Sequence, residues 1–226
     1  MQAALFPITQ DELSLIHPWA ARSIFWEMAP EAAAAVHRSG SPEFEKEAWL
    51  SATLLEYRSC GFNIGYANAP ALSTVLYCHR DLAPGTVTMP SGPVSPDAAV
   101  ISSLFIDEVF RGLGLEAALI DAALMDLVGW RVPAVEAFAR RGGAAGDPAH
   151  IADTGVTADT GSPGTAWILA HGREIGLIDE AVLQSAGFRL IADHPLLPRY
   201  RMELPPVDGL LSARDAEILL AGVEAQ

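Results

Sequence analysis

Ser102-Ser103-Leu104-Phe105-Ile106-Asp107-Glu108-Val109-Phe110-Arg111-Gly112-Leu113-Gly114-Leu115-Glu116-Ala117-Ala118-Leu119 is the stretch from which the fold is read. Its first part closes an apolar, β-branched run, Ala98 to Asp107, that predicts a strand. Its last part opens a helix expected from about Leu115 to Gly129, with Ala118, Leu119, Ala122, Ala123 and Leu127 on one stripe. Between them lies a turn holding Gly112 and Gly114. Free amides at such a helix start, together with the positive end of its dipole, can hold a phosphate or pyrophosphate. A turn that needs small residues only for packing is the equal alternative.

Upstream, Pro84, Pro90, Pro93 and Pro96 exclude a regular element over residues 81–97. Cys60 to Asn68 and Leu72 to Arg80 read as a hairpin around Asn68-Ala69-Pro70-Ala71. Thr9-Gln10-Asp11-Glu12 reads as a capping box before Leu13, Ile16, Ala20 and Ile24, which predicts a helix over residues 10–27. Pro42 suits the first position of a second helix reaching Arg58. Downstream, Val132 to Ala139 is a strand, and Arg140 to Gly164 is a long loop almost without large apolar residues. Loops of this length act as functional lids or are disordered insertions, and both readings stand. Asp179 to Ala186 is a short helix stopped by Gly187. Phe188 to Asp193 and Arg199 to Leu204 are strands, and Ala213 to Gly222 is a terminal helix. The order α α β β β α β α β β α predicts a mixed α/β domain.

The chain has 226 residues, half of them apolar, and a formal net charge of −14. So acidic a balance argues against nucleic acid and against anionic membrane as partners. It would instead draw cationic amines toward a cleft. Cys60 and Cys78 form neither a CxxC nor a metal-finger spacing and are expected as buried thiols in a reducing compartment. The six histidines share no i, i+4 spacing, so no metal site is expected. No basic, apolar leader opens the chain, and Glu116, Asp121 and Asp126 interrupt its most apolar stretch. A cytoplasmic, soluble protein is expected.

Gly112-Leu113-Gly114-Leu115-Glu116-Ala117 fits G-x-G-x-x-A, with Glu136 about twenty residues on, as a Rossmann-type dinucleotide site asks. Against that reading, Asp107 to Arg111 separate the strand from the first glycine. A second resemblance covers residues 5–204. The order of elements and Leu104-Phe105-Ile106 … Phe110-Arg111-Gly112-Leu113-Gly114 resemble the GNAT N-acetyltransferase superfamily, whose acetyl-CoA loop reads Arg/Gln-x-x-Gly-x-Gly/Ala. Leu183-Gln184-Ser185-Ala186-Gly187-Phe188-Arg189 looks like the family's helix end at Gly-Phe. Leu197 to Leu204 looks like its last strand.

That resemblance implies a mixed, mostly antiparallel sheet flanked by helices, over residues 1–206 with a flexible loop at 140–164, and a helical extension over 207–226. It implies acetyl-CoA as co-substrate, with pantetheine between splayed fourth and fifth strands. Backbone groups of Leu104, Phe105 and Ile106 would hold the pantetheine, and amides of Arg111, Gly112, Leu113, Gly114, Leu115, Glu116 and Ala117 the pyrophosphate. The implied acceptor is an amine of a small molecule or protein, and a homodimer is compatible with the fold. Glu136 is the carboxylate placed best to act as base, with Ser103 and Tyr200 as alternatives. The sequence departs from the family at Glu116, where Gly or Ala is usual, and at Leu183, where many members carry a tyrosine acid. A catalytically silent domain of the same fold, binding a ligand or partner, is the alternative function.

Overall fold

The computed structural model describes residues 3–142 and 164–206. Ala98–Ile106 (β4) is its longest strand and lies near the middle of an eight-stranded sheet. On one side follow Ser73–His79 (β3), Gly61–Gly65 (β2) and Ala4–Pro7 (β1); on the other, Ala134–Arg140 (β5), Arg199–Glu203 (β8) and Arg189–Ala192 (β7). Ile178–Asp179 (β6) pairs with β5 off this path. Among the described residues only β4–β5 and β5–β6 are parallel; every other ladder is antiparallel. That order overturns the Rossmann alternative, which needs a mostly parallel sheet.

The helices are Pro18–Arg22 (α1), Pro30–Ser39 (α2), Pro42–Tyr57 (α3), Leu115–Gly129 (α4), Thr165–Ala170 (α5) and Glu180–Ser185 (α6). α4 lays Leu115, Ala118, Leu119, Ala123 and Leu127 against Tyr77, Ile101, Val135 and Ala137. Leu183 and Phe188 complete that face of the core. On the opposite face, Leu50 and Leu54 of α3 meet Ile8, Ile16, Leu76 and Phe105. A third cluster joins Trp26 to Val100, Phe138, Leu177 and Leu197.

The helix expected over residues 10–27 is two shorter pieces, a 3-10 turn over Gln10–Leu15 and then α1. Pro18 cannot donate the amide a continuous helix requires, so the chain restarts there. His17 caps the restart, its Nδ1 accepting the Trp19 amide at 3.2 Å. The expected capping box does not form. The Thr9 hydroxyl donates to Glu12 Oε2 at 3.0 Å rather than accepting an amide. Within 81–97, the prolines exclude a strand or α-helix but admit 3-10 turns, as Pro84–Thr88 shows. α2 and α5 were not anticipated. Most of the loop expected at 140–164, and the extension at 207–226 with its helix, lie outside the described residues.

Candidate active site

β4 and β5 stay in register only from Ala98–Ala134 to Ile101–Ala137, and beyond that they part. The β3–β4 ladder slips at the same level: Leu76 pairs with Ser103 and Tyr77 with Ile101, leaving Ser102 as a bulge. A bulge bends its strand and strengthens its twist, which opens the gap. The chain fills part of that gap itself. Leu104 N–H donates to Gly176 C=O at 2.8 Å, while Ile178 and Asp179 pair with Ala139 and Arg140 of β5. The other edge of β5 is taken by Pro198 and Leu196, which accept from the Ala139 and Arg141 amides at 2.9 Å. Residues 176–179 therefore lie inside the parting, tied to β4 on one side and β5 on the other.

Only a glycine fits at 176. Its φ is +67°, and a Cβ there would lie 2.7 Å from the Phe105 ring and from Ser103 Cβ. Beside it, the Ser103 hydroxyl is buried without a hydrogen-bond partner. A cleft of about 220 Å³ continues from the parting, lined by Leu104, Ile106, Arg111, Gly112, Glu116 and Arg173 among others. At its end, Gly112 and Gly114 take φ of 75° and 85°, the left-handed turn that aims backbone amides ahead of α4. Glu116 Oε1 is 3.5 Å from the Gly112 amide, a long contact that places a carboxylate where an anionic ligand would be held. At about 6 Å and an effective dielectric near 20, a second unit negative charge would be repelled by about 3 kcal/mol before screening. Arg140 is paired with Asp179 at 2.6 Å and Arg173 with Glu108 at 3.1 Å. Arg111 makes no ion pair among the described residues.

Of the cofactor residues expected from sequence, Leu104, Ile106, Arg111, Gly112 and Glu116 line this cleft. Phe105 and Leu115 are buried in opposite faces of the core, and Leu113, Gly114 and Ala117 are not among its lining residues. None of the expected catalytic residues lines it either. Glu136 is fully buried between β4 and β8, with Oε2 accepting from Arg199 at 2.7 Å and from the Ser95 amide at 3.1 Å. Its Oε1 accepts from Arg201 at 3.2 Å. With both oxygens engaged by guanidinium groups, Glu136 ties β5 to β8 and to the proline-rich segment before β4. Arg199 also donates to Pro93 C=O. Tyr200 donates to Glu180 at 2.6 Å, and its phenol is held above the ordinary value by burial and by that carboxylate.

His17 is a residue the sequence reading passed over. It is buried, stacks on Phe105, and its Nε2 lies 3.1 Å from Asp107 at the end of β4. Because Nδ1 accepts an amide, the proton is on Nε2, facing Asp107. Burial lowers the His17 pKa and Asp107 partly opposes it. Nothing local in the sequence signals the pair, whose members are 90 positions apart.

A larger cleft, about 670 Å³, lies on the α1 side. Trp19, Phe25, Trp167, Ala33 and Pro30 form its apolar walls; Arg22, His37, Glu43 and Glu174 are its titratable lining groups. Its boundary includes Ile175, whose carbonyl accepts the Trp26 indole N–H at 2.6 Å, one residue before Gly176 in the parting. Leu177, two residues on, lines the smaller cleft, so residues 175–177 run from one cleft to the other.

The mixed sheet, the parallel contact between β4 and β5, their parting and the glycine turn before α4 define a GNAT-like α/β domain. The sequence matches no family profile and no curated protein. Among solved structures, the chain is similar to an N-acetyltransferase of Staphylococcus aureus Mu50 (13% identity, 90% of this chain and 99% of that one, TM-score 0.47). It is also similar to a GNAT-family acetyltransferase of the same organism (9%, 89% and 99%, TM-score 0.45). A third is yncA of Salmonella typhimurium, solved with its cofactor acetyl-CoA (10%, 94% and 100%, TM-score 0.48). At these identities and scores the strand order, not the likeness, carries the fold.

Proposed function

We propose that this chain is a divergent GNAT-type N-acyltransferase, moving an acyl group from acetyl-CoA to an amine. The observation that carries this reading is the parting of β4 and β5 past Ile101–Ala137, beside which a cleft lined by Leu104 and Ile106 reaches Gly112 of the glycine turn. The residues suit the co-substrate chemically. The Ser103 hydroxyl is partnerless, and the Leu104 amide is engaged by Gly176 C=O, so a ligand carbonyl would take that carbonyl's place. The turn offers the Gly112 amide and the Arg111 guanidinium. When bound, acetyl-CoA supplies an activated thioester: a nitrogen–carbon bond forms, the carbon–sulfur bond breaks, and the amine's proton passes to the released thiol or to solvent.

The protein's own contribution is to bind, orient and exclude water. The Leu104 N–H is a fixed donor suited to a carbonyl oxygen, and it already holds one, from Gly176. His17 and Asp107 hold the end of β4 and the start of α1 in one arrangement, so the edge and the larger cleft keep a fixed relation. Titration with acetyl-CoA by calorimetry, followed by mass spectrometry for an acylated amine, tests the reading. Absence of binding at millimolar acetyl-CoA would overturn it.

A second reading, a catalytically silent domain of this fold, is favoured by one specific pair of contacts. Gly176 C=O and the Glu116 carboxylate occupy the two amides on which the first reading depends. Ligand binding without acyl transfer would support it.

A further inference from the structure

We infer that the turn over residues 172–177 is a built-in plug of the donor cleft, a self-inhibitory contact that swings out before an acyl donor seats; the inference rests on the acyltransferase reading. The turn closes on itself, with the Leu177 N–H donating to Gly172 C=O at 2.8 Å. The same peptide unit is held at its other end, where Gly176 C=O accepts the Leu104 N–H at 2.8 Å. One peptide plane therefore stands where a thioester carbonyl would meet its donor, and ligand and plug exclude one another. The seat has room for that plane alone, because a Cβ on Gly176 would lie 2.7 Å from the Phe105 ring and from Ser103 Cβ. The plug also leaves the seat chemically incomplete. Ser103 is fully buried beside it, and its hydroxyl has no hydrogen-bond partner among the described residues. An unpaired buried hydroxyl disfavours the closed arrangement and is relieved by a polar ligand.

The turn is held unevenly. Its root is anchored: Ile178 and Asp179 pair with Ala139 and Arg140 of β5, and Arg140 holds Asp179 at 2.6 Å. Its tip is not. Arg173 and Glu174 are exposed, and among the described residues one ion pair fastens the tip to the turn after β4, Arg173 to Glu108 at 3.1 Å. Those side chains are 58% and 76% exposed, so the latch is weak and is screened by salt. Glycine at 172 and at 176 lets the tip rotate about the root. Opening also separates Ile175 C=O from the Trp26 indole, which it holds at 2.6 Å, and uncovers the buried Ile175 side chain. The closed arrangement therefore prevails in the free protein, and donor affinity is reduced by the small fraction that is open. Trp26 reports the motion.

Amide hydrogen exchange at Leu104 and stopped-flow tryptophan fluorescence with acetyl-CoA test the inference on the full chain. Leu104 should exchange through a local opening that low urea barely promotes, unlike the core amides of α4. Arg173→Ala and Glu108→Gln break the same exposed contact from opposite sides, so each should speed that exchange about two- to fivefold. High salt should do the same to the parent chain and add little in the variants. In the parent, the binding rate should level off as acetyl-CoA rises, at the rate of opening, and both variants should raise that plateau by a similar factor. Charge alone would move the variants in opposite directions, since one loses a cation and the other an anion. A binding rate that climbs linearly with acetyl-CoA would overturn the plug. So would Leu104 exchange as urea-dependent as the α4 core, or indifferent to both variants. Exchange that responds as expected, with no acetyl-CoA bound at millimolar concentration by parent or variants, would keep the moving turn and remove the acyltransferase reading.

Discussion

The Leu104 amide of the fourth strand donates to the Gly176 carbonyl at 2.8 Å, closing with a backbone group the gap that the parting strands leave open. The contact uses the donor most suited to a ligand's carbonyl. It also explains why residue 176 has no side chain.

Gly176→Ala should destabilise the protein by about 1–3 kcal/mol, since the methyl group meets Phe105 and Ser103 at 2.7 Å in a left-handed conformation. Residues 175–178 should loosen with it, so the Leu104 amide exchanges its hydrogen faster than in the parent chain. Urea unfolding and amide exchange read the two effects separately. An unchanged midpoint with unchanged Leu104 protection would show that the seat accommodates a side chain.

Glu116→Gln should tighten acetyl-CoA by about 1–2 kcal/mol after screening, by removing a like charge from the pyrophosphate end of the cleft. Stability should barely change, because the contact to the Gly112 amide is long at 3.5 Å and exposed. Calorimetry at two salt concentrations checks both parts. The gain should shrink as salt rises.

Glu136→Gln should cost roughly 3–5 kcal/mol, because it leaves Arg199 and Arg201 without the carboxylate they share in a buried site. The expected outcome is a lower unfolding temperature before any change in a pH–rate profile. A variant as stable as the parent chain but inactive would return Glu136 to a role in proton transfer.

Acid should weaken the fold before the carboxylates titrate. Burial holds His17 and His194 below the ordinary 6.5, so the unfolded chain binds more protons than the folded one between their folded values and 6.5. Their contribution is complete above pH 6.5 and is lost as pH falls through the folded values. Asp107 and Arg111 both act on His17, the first raising and the second lowering its pKa. Asp97, Glu180 and Glu203 are held low chiefly by Arg201 and Arg141, so their losses come at more acid pH. The urea midpoint should drop from pH 7 to pH 5, and His17→Asn, which can still cap α1, should reduce the drop. An equal drop in the variant would remove His17 as a source.

The elements around the opening stretch could be read from sequence because their causes are local. The α4 helix runs over Leu115–Gly129 as its apolar stripe predicts, starting directly after a left-handed Gly114. β4 ends one residue short of the expected Asp107, where a 3-10 turn over Glu108–Phe110 leads toward the glycines. The apolar spacing over residues 10–27 is helical, but Pro18, which lacks an amide, divides it into a 3-10 turn and α1. The helix holding Trp167-Ile168-Leu169 has six residues, too short for its apolar period to show in the sequence.

By itself the sequence determined the acidic balance, the strand–glycine turn–helix unit and the run of strands that makes a mixed sheet, all properties of neighbouring residues. Tertiary structure decided what those residues do. Glu136 faces Arg201 only because β5 and β8 pair in that register, which turns a candidate base into a tie between strands. His17 meets Asp107, and Gly176 meets Leu104, across 90 and 72 positions of chain. The aromatic cleft likewise gathers Trp19, Phe25 and Trp167 from distant segments. Contacts of this kind depend on strand register and on where the chain returns after long excursions, and no local periodicity encodes either.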